Sequence, residues 1–183
     1  MKDKSERVPG RCVGRGGFTL VETLISVFIF LFMITALYGI GTVSQRYWDA
    51  NKAKNELQQE LRKAMDGMIY DLRQAGQASI SDVPADGAWY STINFKVPDG
   101  VSGGSLTWNN DAIQFVLAGP SSERLHRIQG GDTKILALNV QSLGFRRQAA
   151  APNLLEVSLQ GQKDTDRGLT IDYNLAFEVQ LRN

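Results

Sequence analysis

Phe18-Thr19-Leu20-Val21-Glu22-Thr23-Leu24-Ile25-Ser26-Val27-Phe28-Ile29-Phe30-Leu31-Phe32-Met33-Ile34 opens an apolar run that continues to about Val43. A run of about 20 such residues is long enough to cross a bilayer as a helix. Gly16-Gly17 stands directly before it, preceded by a short basic leader. One carboxylate, Glu22, interrupts the run. A charge in hydrocarbon is costly, so Glu22 needs a partner and marks a functional position.

Past Val43 the pattern becomes amphipathic. Leu57, Leu61, Ala64, Met65, Met68, Leu72 and Ala75 recur at spacings of three and four, one face of a helix. Lys54, Glu56, Gln58, Glu60, Arg62, Lys63, Asp66 and Arg73 fill the opposite, solvated face. No proline occurs between Phe18 and Val83. One nearly continuous helix is expected from Phe18 to about Ala75, stopped by a Gly76 C-cap and roughly 90 Å long. Gly39 and Gly41 are the places where it could bend or locally melt.

The rest reads as β structure. Ser79–Gly104, rich in Ser, Asp, Gly and Pro, is expected to be mostly loop, with a short strand near Ile93–Val97. Ile113, Phe115 and Leu117 alternate; Gly119-Pro120-Ser121-Ser122 turns the chain, and Leu125–Ile128 returns. Ile135–Phe145 is a further strand region, and Leu155, Val157 and Leu159 alternate again. Leu169, Ile171, Tyr173, Leu175, Phe177, Val179 and Leu181 keep period two longest, the mark of a strand with one buried face. The fold class is therefore α+β: a long N-terminal helix, transmembrane then amphipathic, packed on a C-terminal antiparallel β-sheet domain. The expected divisions are a leader at 1–17, an apolar helix at 18–43, its amphipathic continuation at 44–78 and a β domain at 79–183.

Charge and composition narrow the function. The chain has 183 residues, with 20 basic and 19 acidic. The leader holds five basic residues (Lys2, Lys4, Arg7, Arg11, Arg15) and two acidic ones (Asp3, Glu6), which leaves 15 against 17, a net of −2. That balance does not suggest a nucleic-acid binder. The leader's charge fits the positive-inside rule, with the N-terminus in the cytoplasm. The only cysteine, Cys12, lies in the leader, so a chain without it has no disulfide, thiolate nucleophile or zinc–thiolate site.

Candidate chemistry elsewhere is sparse. His126, the only histidine, is expected at a surface strand position without converging partners. Arg124, Arg127, Arg146 and Arg147 are expected as solvated edge residues, since adjacent strand residues face opposite ways. Trp89, Tyr90 and Trp108 are expected to tuck over a core edge or mark a protein contact. Asp82, Asp86, Asp99 and Asp111 show no dense alternating acidic pattern, so no calcium loop is expected. No Gly-x-Ser-x-Gly motif occurs. No enzyme activity, cofactor, metal or small-molecule substrate is expected. An ordinary secretory signal would be cut after the apolar run, next to small residues. Leu37–Val43 offers no clear site of that kind. A plain anchor explains the run but neither the Gly-Phe junction nor Glu22.

The Gly17-Phe18 junction, the apolar run and Glu22 together closely resemble the class III signal of type IV pilins and pseudopilins. The resemblance implies cleavage by a prepilin peptidase between Gly17 and Phe18, N-methylation of Phe18, and a helix retained as an assembly module. It also implies that Glu22 meets the Phe18 amine of a neighbouring subunit and sets axial register. Many family members place a basic residue directly before a single glycine; here Gly16-Gly17 separates Arg15 from the junction. Tyr70-Asp71-Leu72-Arg73-Gln74-Ala75 and the terminal Val179–Asn183 look like the helix closure and final strand of J-type minor pseudopilins of type II secretion and of W-type minor pilins. The resemblance implies a single-pass inner-membrane protein with a periplasmic C-terminal domain, extracted into a periplasmic filament, with a place at its tip. Its partners would be the peptidase, other minor and major pseudopilins or pilins, an inner-membrane assembly platform and membrane lipid. A type IV or competence pilus subunit, serving adhesion, pilus priming or DNA uptake, is the alternative.

Overall fold

One α-helix, α1, runs from Leu20 through Gln74. The structure, a computed structural model, describes residues 17, 19–121 and 123–182. The expected start at Phe18 lies outside the described residues. The helix continues without interruption through Gly39 and Gly41, where local melting was an option. The chain divides into two compact units, Met1–Gln45 and Arg46–Asn183.

In the first unit the apolar side chains of α1 are exposed nearly all round, from Leu20 and Phe28 through Phe32 to Val43. In the second unit α1 has a dry face. Ala53, Leu57, Leu61, Ala64, Met68 and Leu72 are buried, at the three- and four-residue spacing the sequence carries. Met65 stands at the margin, half-buried. Removing a side chain such as Leu57 or Leu72 wholly from water contributes about 1.5–3 kcal/mol.

Gly76 does follow the helix end, but not as a left-handed cap. It is extended, with φ −78° and ψ 135°. Its smallness has another cause: the Trp108 ring fills the space a Cβ would need. Beyond it Gln77–Ser79 form one short 3-10 turn.

Nine strands follow: β1 Ile93–Phe95, β2 Pro98–Ser102, β3 Ser105–Trp108, β4 Ile113–Ala118, β5 Arg124–Gln129, β6 Asp132–Ala137, β7 Val140–Gln148, β8 Ala151–Asp164 and β9 Thr170–Gln180. They form three antiparallel sheets rather than one: β1-β4-β5-β6, β2-β3 and β7-β8-β9. Two expectations need correction. The β2-β3 hairpin occupies a stretch read in part as loop. It turns at Gly103-Gly104, both with positive φ, as a tight hairpin requires. The region Ile135–Phe145 is two strands, broken at Asn139, whose φ of 55° is left-handed.

The core joins α1 to both larger sheets through Ile93, Phe95, Ile113, Phe115 and Leu125 on one side and Val140, Phe145, Leu155, Val157 and Leu159 on the other. The helix packs tightly on β8 at Gly161, where an added Cβ would stand 2.7 Å from a Leu61 methyl and 3.0 Å from a Leu57 methyl. β9 alternates as the sequence predicts, but only Val179 is fully buried. Tyr173, Leu175 and Phe177 are half-buried at the core's margin.

Candidate processing and assembly site

Thr19 and Glu22 open α1 as an N-cap and its third residue. The Thr19 hydroxyl oxygen accepts from the Glu22 N–H at 3.3 Å, and the Thr19 carbonyl accepts from the Thr23 N–H at 3.1 Å. Thr-x-x-Glu is the spacing of a capping box. The sequence carries that signal as Thr19-Leu20-Val21-Glu22, although an apolar run this strong does not need a cap to be legible as a helix. The arrangement gives Glu22 a local role, since a negative charge is favoured at a helix N-terminus. Its carboxylate accepts no hydrogen bond from, and pairs with, no described residue, so its charge remains available to a partner.

The other serine and threonine hydroxyls of the apolar segment are satisfied within the helix. Thr23 donates to the Thr19 carbonyl (3.2 Å), Ser26 to Glu22 (2.8 Å), Thr35 to Leu31 (2.9 Å) and Thr42 to Gly39 (2.9 Å). Each bond hides a polar group against the backbone, which suits a helix in lipid. Gly17 is exposed, and a Cβ there would meet nothing within 4 Å. Nothing in the described chain demands glycine at 17; a demand for it would come from a macromolecule that closes on the junction. Phe18 lies outside the described residues, as does Cys12.

The remaining candidates do not converge on a site. His126 is half-buried rather than exposed, opposite Val116 and Ile135, and its Nε2 is shielded without a hydrogen-bond partner. Alternation along β5 sets it on the face opposite Leu125 and Arg127, and no acid or serine hydrogen-bonds it among the described residues. Arg147 overturns the expectation of a solvated edge. It is 6% exposed, and its guanidinium donates to the carbonyls of Pro152 (2.8 Å) and Val83 (3.1 Å), fastening the loop before β1 to the first residues of β8. Burial pushes its pKa down from the ordinary arginine value.

Arg146 points the other way, as alternation requires. It pairs with Glu156 and lies 4.5 Å from the centre of the Trp89 ring, a cation–π stack. The Arg146 hydrogen bond holds the Glu156 carboxyl below its ordinary range. Arg127 pairs with Asp71 of α1 at 2.7 Å, so the arginines do not form one basic patch. Trp108 covers Gly76, while Tyr90 donates to Asp86 at 2.5 Å. Asp82 is engaged by Ser81 and Asn94. Among the described residues no group of three His, Cys, Asp or Glu side chains is placed to hold a metal. An open hollow of about 540 Å³ is lined by Ser121, Glu123, Gln162 and Asp164, and no hydrogen bond joins the Ser121 hydroxyl to a base among the described residues.

Comparison with known proteins places the functional signal where the geometry does. Residues 14–38 match the family model described as the prokaryotic N-terminal methylation motif. The chain therefore carries a type IV pilin-like class III signal, recognised by prepilin peptidase, at the head of a helix long and apolar enough to cross a membrane. No curated protein and no solved structure matches the chain.

Proposed function

We propose that the chain is a minor pseudopilin of a type II secretion system, a structural subunit of the periplasmic pseudopilus with a place in its tip complex. The observation that carries this reading is Glu22, unpartnered among the described residues and held in the capped first turn of an exposed apolar helix inside the matched segment. Prepilin peptidase cuts between Gly17 and Phe18 and Phe18 is N-methylated. Residues 18–43 anchor the protein in the inner membrane, with the basic leader cytoplasmic. Residues 44–78 continue the helix into the periplasm, and 79–183 form the periplasmic β domain.

Glu22 then directs assembly. In the filament its carboxylate faces the amine of Phe18 on a neighbouring subunit, and in low dielectric such a pair interacts far more strongly than at a wet surface. The J-type assignment is supported by the helix closure. Leu72 and Ala75 are fully buried, Asp71 is tied to Arg127, and Leu181 is buried where the final strand returns beside Ala75.

A minor pilin of a type IV pilus shares all these features, and one genetic experiment separates the two. Deletion of the gene is expected to abolish secretion of the type II exoproteins while surface pili persist. Loss of pili with normal secretion assigns the chain to a pilus, and loss of neither removes both readings.

A further inference from the structure

The backbone at the end of β9 reveals which of its groups face outward. The Arg182 N–H donates to the Ala75 carbonyl (3.0 Å) and the Arg182 carbonyl accepts from the Gln77 N–H (2.9 Å), whereas the Leu181 N–H donates to the Asn153 carbonyl near the start of β8 (2.8 Å). Along a strand, successive residues direct their backbone groups to opposite edges. The odd-numbered residues of β9 therefore bond β8, and the even-numbered ones face the edge that Ala75–Gln77 occupies only at Arg182. From Thr170 to Gln180 six residues present N–H and C=O groups there, with no backbone partner among the described residues.

The other edges of the two larger sheets are protected and this one is not. β1 has three residues. β6 carries Lys134 and a register shift against β5. β7 is irregular at both ends, and Tyr90 bonds its Phe145 in both directions. β9 has eleven residues, no proline, glycine or lysine, and an unbroken register with β8. Proteins ordinarily blunt such an edge, so a long regular one is a template for another strand.

The side chains define what fits. Tyr173, Leu175 and Phe177 leave the margin of the core half-covered, ready to be extended by apolar residues. On the other face Asp172 and Glu178 are exposed and accept no partner among the described residues. Glu178 also stands directly opposite Glu156, a like-charge placement that is unfavourable. Arg146 and Gln148 satisfy Glu156 but not Glu178.

We propose that the free edge of β9 is a strand-addition site for an extended segment of a different pilin-like subunit, one with apolar residues toward the core and basic residues beside Asp172 and Glu178. A second copy fits poorly, because an antiparallel β9–β9 pair overlapping over all eleven residues sets Asp172 against Glu178. The edge chemistry stands on the geometry alone; the choice of a filament subunit as occupant rests on the proposed function.

The test uses the full chain in detergent micelles. Two synthetic eleven-residue peptides of alternating Val and Thr are added, one with Lys and one with Glu at two outer-face positions six residues apart. The Lys peptide is expected to slow amide exchange at Asp172, Asn174, Ala176 and Glu178, and the Glu peptide to bind about tenfold more weakly. Ala176→Pro removes one outward N–H without touching a β8 bond, which an edge strand tolerates, and should abolish the protection. The double substitution Asp172→Lys, Glu178→Lys should invert the preference. Unchanged exchange with the Lys peptide, equal binding of both peptides, or a β9-linked dimer forming without peptide overturns the site. In the native host, a photo-crosslinker at position 174 should give adducts with a basic strand of another subunit. Filaments that assemble without such adducts overturn the choice of occupant, whereas a chain that enters no filament refutes the proposed function and leaves the edge site standing.

Discussion

Gly161→Ala tests the contact on which the helix–sheet architecture rests. Its Cβ would sit 2.7 Å from a Leu61 methyl, 3.0 Å from a Leu57 methyl and 3.1 Å from the Asn139 carbonyl oxygen. The two leucine tips can move, but both are fully buried, and movement displaces their neighbours. The carbonyl cannot move freely. It accepts from the Gln162 N–H at 2.9 Å, and its residue is the one non-glycine with positive φ among the described residues. Overpacking a filled core costs about 1–3 kcal/mol. The better backbone propensity of alanine returns roughly 0.5–1 kcal/mol. A net loss of about 1–2 kcal/mol lowers Tm by roughly 3–7 °C for a unit of this size. The assay is thermal unfolding of the full chain in detergent, followed by near-ultraviolet circular dichroism. The partner experiment is Leu61→Ala, which alone costs about 2–5 kcal/mol. With Leu61 shortened, the methyl at 161 has space, so the double variant should lose clearly less than the sum of the single losses. A neutral Gly161→Ala, or strict additivity, would refute the packing of α1 over β8.

Three further outcomes follow from side chains already placed. Arg147→Met keeps the bulk but leaves the buried Val83 carbonyl and the half-buried Pro152 carbonyl without their donor; a loss of about 2–4 kcal/mol is expected in urea unfolding, and a loss under 1 kcal/mol contradicts the fastening role. Arg146 lowers the Glu156 pKa in the folded state, so the pair contributes above the ordinary value near 4.5 and fades as pH falls through the lower folded value; Glu156→Gln should flatten the acid limb of the stability–pH curve, and an unchanged limb rules the linkage out. Glu22→Val should leave cleavage after Gly17 intact while co-purification with the other minor subunits is lost; full filament activity of that variant removes Glu22 from assembly.

Some of this was legible in the sequence and some was not, for physical reasons. Leu57, Leu61, Ala64, Met68 and Leu72 were readable because a helix records its buried face locally, at a spacing of three and four. The period of β9 was readable for the same reason. Its incomplete burial was not, because burial depends on what lies across the sheet, and β9 is an edge. The burial of Arg147 was not legible, because alternation tells which face a residue takes but not what covers it; the carbonyls of Pro152, five residues on, and of Val83, far away in sequence, make the burial tolerable. Asn139 was a visible mark of the break between β6 and β7, since asparagine tolerates the left-handed backbone, but a single polar residue there also fits an outward-facing strand position. Gly17 and Glu22 stand within the segment that matches the N-terminal methylation motif, and the Thr-x-x-Glu spacing of the Thr19 cap stands in the sequence beside them.

The most direct test of the central claim is the intact mass of the protein after co-expression with an active prepilin peptidase. The account predicts one mature species beginning at N-methyl-Phe18, lacking Met1–Gly17 and retaining the whole apolar helix. Gly17→Ala should leave the precursor uncut, because the methyl enters the space the peptidase must occupy. A wild-type chain that keeps its leader beside the active peptidase, or one cut beyond Val43, would contradict the claim.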